Sequence, residues 1–225
     1  MTADKKQPSV RFILLTLAGS VLFWAILSDA WGYSALLPIR NGTYLYGYVS
    51  RIVWVIPAVC LIVRFRNALP FGGKELLSPP VLNRSFLIVL AASALIAVGG
   101  MLIRHGGFRL NPDIDPLPEC IKLIIVGIVE ETVFRVWGYN ALTKRTTDRN
   151  ALILSTLFFI LVHWPSYFIK LYRFGTFDPV DFLTQSLTAA IWGAVFCLLL
   201  KKSRSVFNPM IAHTVYDVLI VLFVG

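Results

Sequence analysis

Six ionisable residues sit inside long apolar stretches of this sequence: Glu130, Glu131, Arg135, His163, His213 and Asp217. A charged group at the centre of a bilayer costs about 2.5–3.5 kcal/mol on insertion scales, so such groups face one another or a water-filled cavity. Their spacing gives them directions. Glu130 and Glu131 are adjacent, and on an α-helix they point about 100° apart. Arg135 follows Glu131 by four residues, so the two share a face and can neutralise each other. That leaves Glu130 free to point elsewhere, along a face continued by Phe134. Phe159 and His163 are four apart, and Pro165 ends or kinks their helix just beyond. His213 and Asp217 are also four apart, on a helix that Asn208 and Pro209 open.

A free carboxylate and two imidazoles can activate water. They can do so directly, as general base and orienting groups. They can also hold a divalent metal such as zinc, with Glu130, His163 and His213 as the ligand set. No HExxH occurs, so an ordinary zincin is not supported. Bland readings stand beside these. Glu131 and Arg135 read as a structural ion pair that shapes the helix. A histidine in a span can serve as hydrogen-bonding glue between helices, and intramembrane Glu, His and Asp also build proton relays.

The elements that must position these residues follow from composition and run length. The chain has 225 residues, 57% hydrophobic and 15% charged, and its mean hydropathy is +0.73. Soluble domains are about 45–50% apolar and about 25% charged. Disorder and most soluble classes are thereby excluded, and lipid becomes the expected solvent. Seven stretches are long enough to span as helices: 12–28, 46–63, 85–103, 120–142, 151–169, 182–200 and 207–224. None alternates with period two, so a barrel is not expected. The expected fold is an all-α, polytopic transmembrane helical bundle of seven spans, or eight with one extra half-helix, forming a single domain over 1–225. The first stretch follows Lys5, Lys6 and Arg11 but is too long for a signal peptide, so it reads as a retained anchor.

The net charge is +9. No basic stripe with interleaved aromatics accompanies it, so nucleic acid is not an expected partner. The basic residues sort by side instead. With the N-terminus in the cytoplasm, thirteen of the 21 Lys and Arg fall inside: Lys5, Lys6, Arg11, Arg64, Arg66, Lys74, Arg84, Lys144, Arg145, Arg149, Lys201, Lys202 and Arg204. Five fall outside: Arg40, Arg104, Arg109, Lys170 and Arg173. This is the positive-inside pattern of a cell-membrane protein, and it puts Gly225 outside. Residues 104–118, which include Asp113, and 170–181 read as irregular outer loops, with His105 in the first of them. Cys60, Cys120 and Cys197 read as packing residues. Trp24, Trp31, Trp54, Trp137, Trp164 and Trp192 read as packing or interfacial anchors, and Arg51 as a snorkelling cation.

Glu130-Glu131-Thr-Val-Phe-Arg135 fits EExxxR, Phe159 to His163 fits FxxxH, and His213 to Asp217 fits HxxxN/D. Three such motifs, in order and each in an apolar span, resemble the CPBP family of CAAX-protease and bacteriocin-processing intramembrane proteases, also called ABI. The resemblance covers roughly 118–220, which it marks as the catalytic core. It implies a membrane endopeptidase acting on a membrane-associated protein or peptide. In it Glu130, helped by His163, activates the attacking water, and His213 with Asp217 stabilises the oxyanion. Glu131, Arg135 and Phe159 support the site. The family is described both as metal-dependent and as glutamate-type, so a zinc-like cofactor stays open. Val136 stands where Gly is frequent, and Asp217 stands where Asn is common. An ionised Asp cannot donate to an oxyanion as Asn can, so Asp217 must be protonated, orient His213 or bind a metal. The alternatives are a non-proteolytic membrane scaffold or bacteriocin-immunity partner and, less favoured, a proton-coupled transporter.

Overall fold

A computed structural model describes residues 7–34, 40–71, 77–107, 109–112 and 114–223. Lys5, Lys6, Lys74, Asp113, Val224 and Gly225, used above, lie outside the described residues, as do the side chains of Trp31 and Arg40. Within them the chain is all-helical, with no strand. In chain order the helices are α1 (Val10–Ser34), α2 (Arg40–Phe65), α3 (Arg84–His105), α4 (Pro116–Glu131), a π-helical segment (Thr132–Tyr139), α5 (Asn140–Thr143), α6 (Asp148–Leu161), α7 (Trp164–Phe174), α8 (Pro179–Ser203) and α9 (Phe207–Phe223).

These helices coincide with the seven apolar stretches, but among the described residues five segments are long and apolar enough to cross a membrane: Val10–Ala30, Leu45–Phe65, Arg84–His105, Asp148–Phe174 and Pro179–Ser203. α9 is shorter. The stretch from α4 to α5 is helical throughout and carries Glu130, Glu131 and Arg135. Large apolar side chains such as Leu15, Leu22, Ile26, Leu95 and Ile103 point outward. A water-soluble monomer rarely shows so much apolar surface, so lipid is the natural contact.

Helix ends are set locally. Asn83 caps α3 by accepting from the Phe86 N–H, and Gly106 closes it in the left-handed conformation, φ 67°. His105 is therefore the last residue of α3 rather than a loop residue. The loop expected over 170–181 is also shorter. Helix α7 runs on until Gly175, φ 65°, closes it. Asp178 then caps α8 by accepting from Val180 and Asp181. A Pro/Gly/Asp-rich stretch reads as loop by composition, but here those residues are the caps themselves.

The π-helical segment is the centre of the bundle. Val133 to Tyr139 are all buried, and α1, α2, α6 and α8 pack around them. Its turns are one residue wider than α-helical turns. Ile13 and Leu17 of α1, Trp54 of α2 and Phe134 and Trp137 of the segment form the apolar core. Two buried amides tie the connection between α2 and α3 to this frame. Asn140 accepts from Phe71 N–H at 3.2 Å and donates to Phe71 O at 3.3 Å. Asn208 does the same with Val81, both at 2.9 Å.

Helices α4 and α9 cross at Gly127. A Cβ there would collide with Thr214 Oγ1 and lie 3.2 Å from Met210 O and 3.3 Å from Thr214 N. Only a glycine lets the two backbones approach this closely, and the crossing sits one turn from both Glu130 and His213. Gly127→Val should destabilise the protein by about 1–3 kcal/mol, the usual cost of overpacking. It should appear as a lower melting temperature in detergent. Adding Thr214→Ala should recover only part of the loss, because the backbone contacts remain. An unchanged melting temperature in Gly127→Val would show that this crossing is not tight.

Candidate active site

Glu131 and Arg135 are fully buried, and Arg135 Nη1 lies 3.1 Å from Glu131 Oε1. The expected ion pair is present, although the backbone carrying Arg135 is π-helical rather than α-helical. Arg135 Nη2 also donates to Gly193 O at 3.2 Å. Its guanidinium carbon sits 4.1 Å from the centre of the Phe159 ring and 5.3 Å from that of Phe196. Arg135 Nε has no hydrogen-bond partner among the described residues. The two ring faces supply attraction in its place.

His163 occupies a break between α6 and α7. Pro165 has no N–H to continue the ladder, and the His163 N–H bonds three residues back, to Ile160 O at 3.1 Å. In an unbroken α-helix that N–H would bond Phe159 O. The imidazole fills the gap, with Nδ1 2.7 Å from Phe159 O. A carbonyl only accepts, so Nδ1 carries a proton, and it is Nε2 that has the lone pair in the neutral imidazole. Ser166 Oγ donates to His163 O at 2.9 Å, satisfying a second carbonyl at the break.

His213 on α9 is buried beside three carboxylates. Nδ1 is 2.9 Å from Glu131 Oε1. Nε2 is 3.4 Å from Asp217 Oδ2 and 3.8 Å from Glu130 Oε2. Glu131 thus meets both Arg135 and His213, and its role goes beyond shaping its own helix. The sequence could not give this contact, which joins residues 82 positions apart. Phe159 stands between the histidines, its ring centre 5.1 Å from that of His163 and 5.9 Å from that of His213.

Glu130, His163, His213 and Asp217 all line one cavity of about 470 Å³. Glu131, Arg135 and Phe159 do not border it and stand behind that wall. Glu130 Oε2 is shielded from solvent and makes no hydrogen bond among the described residues. Sequence reasoning missed several residues of this cavity: Arg51, Glu119, Lys122, Tyr167, Gln185, Thr188 and Tyr216. Arg51 does not follow the snorkelling expectation; it lines the cavity instead. Gln185 and Thr188 also border a small recess of about 30 Å³ beside His163, His213 and Asp217. That is about the volume of one water. These polar residues lie on apolar helices without a motif, so only the fold reveals them. Among the described residues no group of three or more His, Cys, Asp and Glu side chains is arranged to hold a metal ion.

Residues 119–219 match the family of type II CAAX prenyl endopeptidases described as Rce1-like. The matched segment carries all three motifs and agrees with the resemblance read from the sequence. The family so matched is one of prenyl endopeptidases, and the match covers the part of the chain that holds the cavity's carboxylates and histidines. None of the curated proteins compared with the chain matches it.

The buried pair gives a test of the site's frame. Arg135→Met leaves the Glu131 carboxylate without its countercharge, and removing one partner of a buried pair costs about 3–5 kcal/mol. Detergent melting should show a large loss. Arg135→Lys should recover little of it, because an ammonium cannot spread between two rings while reaching Gly193 O. Wild-type stability in Arg135→Met would mean the pair is not what holds the site.

Proposed function

We propose that the chain is an intramembrane endopeptidase whose catalytic core is 118–220 and in which Glu130 activates the attacking water. The observation that carries this reading is the meeting of Glu130, His163, His213 and Asp217 on one cavity inside an apolar bundle. A bilayer supplies no water, so hydrolysis there needs a polar pocket with a base already aimed into it.

Glu130 takes a proton from a water molecule. The water oxygen attacks the carbonyl carbon of the scissile peptide bond and leaves an oxyanion. His163, with Nδ1 held by Phe159 O, turns its Nε2 lone pair to the same water and holds its second hydrogen. A proton on His213 Nε2 serves the oxyanion, with Asp217 orienting that edge and Glu131 fixing the other. The intermediate then collapses. The C–N bond breaks, and the proton held by Glu130 passes to the leaving amine. A second oxygen donor could come from Gln185 or Thr188, at the recess beside Asp217. If a divalent metal binds, it would supply Lewis-acid polarisation of the carbonyl; every step above uses the chain's own groups. The substrate is a peptide or protein held at the bilayer, and the N-terminus faces the cytoplasm of a cell-membrane protein.

Glu130→Gln keeps the shape of the side chain and removes the base. Cleavage of a fluorogenic peptide by purified protein in proteoliposomes should fall by about 10²–10⁴-fold, with the melting temperature little changed. Full activity in Glu130→Gln would overturn the assignment. A biological effect that survives in the Glu130→Gln/His163→Ala double variant would point to the scaffold reading. Proton flux that depends on Glu130 would point to the transporter.

A further inference from the structure

We propose that Phe196, on α8, is a positioning residue that acts through His213. It holds the plane of the imidazole so that Nδ1 meets Glu131 while Nε2 is turned toward the carboxylates of the cavity. The inference rests on the endopeptidase reading and adds to it a residue that belongs to none of the three motifs.

The polar contacts of His213 do not by themselves fix its ring. The outer side-chain torsion of a histidine has a broad, roughly two-fold energy profile, so packing decides where the ring settles. On one edge Nδ1 lies 2.9 Å from Glu131 Oε1, a normal hydrogen-bond length. On the other edge Nε2 is 3.4 Å from Asp217 Oδ2 and 3.8 Å from Glu130 Oε2, too long for a tight bond. One short bond is a pivot about which the ring can rock. A flat neighbour removes that freedom. The Phe196 ring centre is 4.9 Å from that of His213, with the two planes 24° apart. Phe159 meets the same imidazole at 78° and 5.9 Å, so it closes one side and leaves the plane to Phe196.

Phe196 is itself held in place. It is 1% exposed. Trp192, one turn earlier on α8, stacks with it at 5.5 Å and 23°, and Tyr216 of α9 closes on Trp192 at 4.5 Å. Tyr216, Trp192, Phe196 and His213 thus form a continuous run of rings that begins and ends on α9. The backbone beneath Phe196 is fixed as well. A Cβ on Gly193 would lie 3.1 Å from Phe159 Cδ1 and 3.1 Å from Thr156 Cγ2. Helix α8 therefore runs close against α6, and Gly193 O accepts from Arg135 there. The Arg135 guanidinium carbon is 5.3 Å from the Phe196 ring centre, so one phenyl ring touches both the buried cation and the imidazole. Rings prefer offset or edge contacts with definite geometry. An aliphatic side chain at 196 would keep the apolar character of the position and lose the flat face.

The test joins kinetics to histidine NMR on the full chain. In Phe196→Leu, cleavage of a fluorogenic peptide in proteoliposomes should show kcat lower by about tenfold or more with KM unchanged. Removing an oxyanion donor outright costs about 10²–10³-fold, and here the donor is loosened rather than removed. Phe196→Tyr keeps the ring and should restore most of kcat. The chain has three histidines, His105, His163 and His213, so isotope-labelled histidine gives a spectrum simple enough to assign with His105→Gln and His163→Gln. In Phe196→Leu the ring signals of His213 should move and broaden while those of His105 and His163 stay. If Phe196→Leu does not fold, Trp192→Leu removes the brace on Phe196 and should give the same selective fall in kcat and the same change at His213. An unchanged kcat in folded Phe196→Leu overturns the proposal. So does a loss of kcat, KM and melting temperature together, which marks a merely structural ring. Should the wild-type chain cut no peptide, the endopeptidase reading fails and the spectra decide alone: a change confined to His213 leaves the positioning role standing, and an unmoved His213 ends it.

Discussion

The site depends on one buried cation. Arg135 is fully buried and meets one carboxylate, a carbonyl and two phenyl rings among the described residues. Glu131, the carboxylate partner of that cation, also lies 2.9 Å from His213 Nδ1 through the same oxygen. Phe159, which stacks on Arg135, also separates the two histidines. One charge in a low-dielectric interior therefore sets the orientation of groups on three helices. Glu130, which lines the cavity, keeps one carboxylate oxygen with no hydrogen bond among the described residues.

Regular helix geometry is given up in two places, and both touch the site. The π-helical segment begins immediately after Glu131 and carries Arg135. The break between α6 and α7 carries His163. Each irregularity leaves backbone groups to satisfy inside an apolar bundle, where an unpaired carbonyl is expensive. At the break a catalytic-type side chain does part of this itself: the bond from His163 to Phe159 O closes the gap in the ladder and also selects the tautomer. Structure and chemistry use the same hydrogen bond there.

Much of this could be read from the residues. Runs of apolar residues located the helices, because hydrocarbon imposes one length scale on them. Pro165 announced the break, since a missing N–H acts locally. The spacing of Glu131 and Arg135 announced the ion pair for the same reason. What stayed hidden was non-local or cooperative. Glu131 meets His213 only because Gly127 lets α4 and α9 touch. The direction of Arg51 depends on Trp24 from another helix. The widened turn of the π-helical segment has no residue signature, and 170–181 looked like a loop because capping residues and loop residues are the same types. Polar residues of α8, such as Gln185, belong to no motif and gain meaning only from the wall they join.

The two amide clamps bear on how far the matched segment can stand by itself. Asn140 and Asn208 are buried, and each is satisfied by a peptide unit from the connection before α3. Trp137 donates to Thr16 of α1 at 2.9 Å, and Arg145 to Pro8 O at 3.0 Å. Residues 119–219 hold the motifs, but an excised piece of that length would carry these polar groups with nothing to bond and a cavity missing one wall. The part of the chain outside the matched segment therefore supplies a wall of the cavity and the main-chain partners of its buried amides, so the segment and its surroundings fold as one unit.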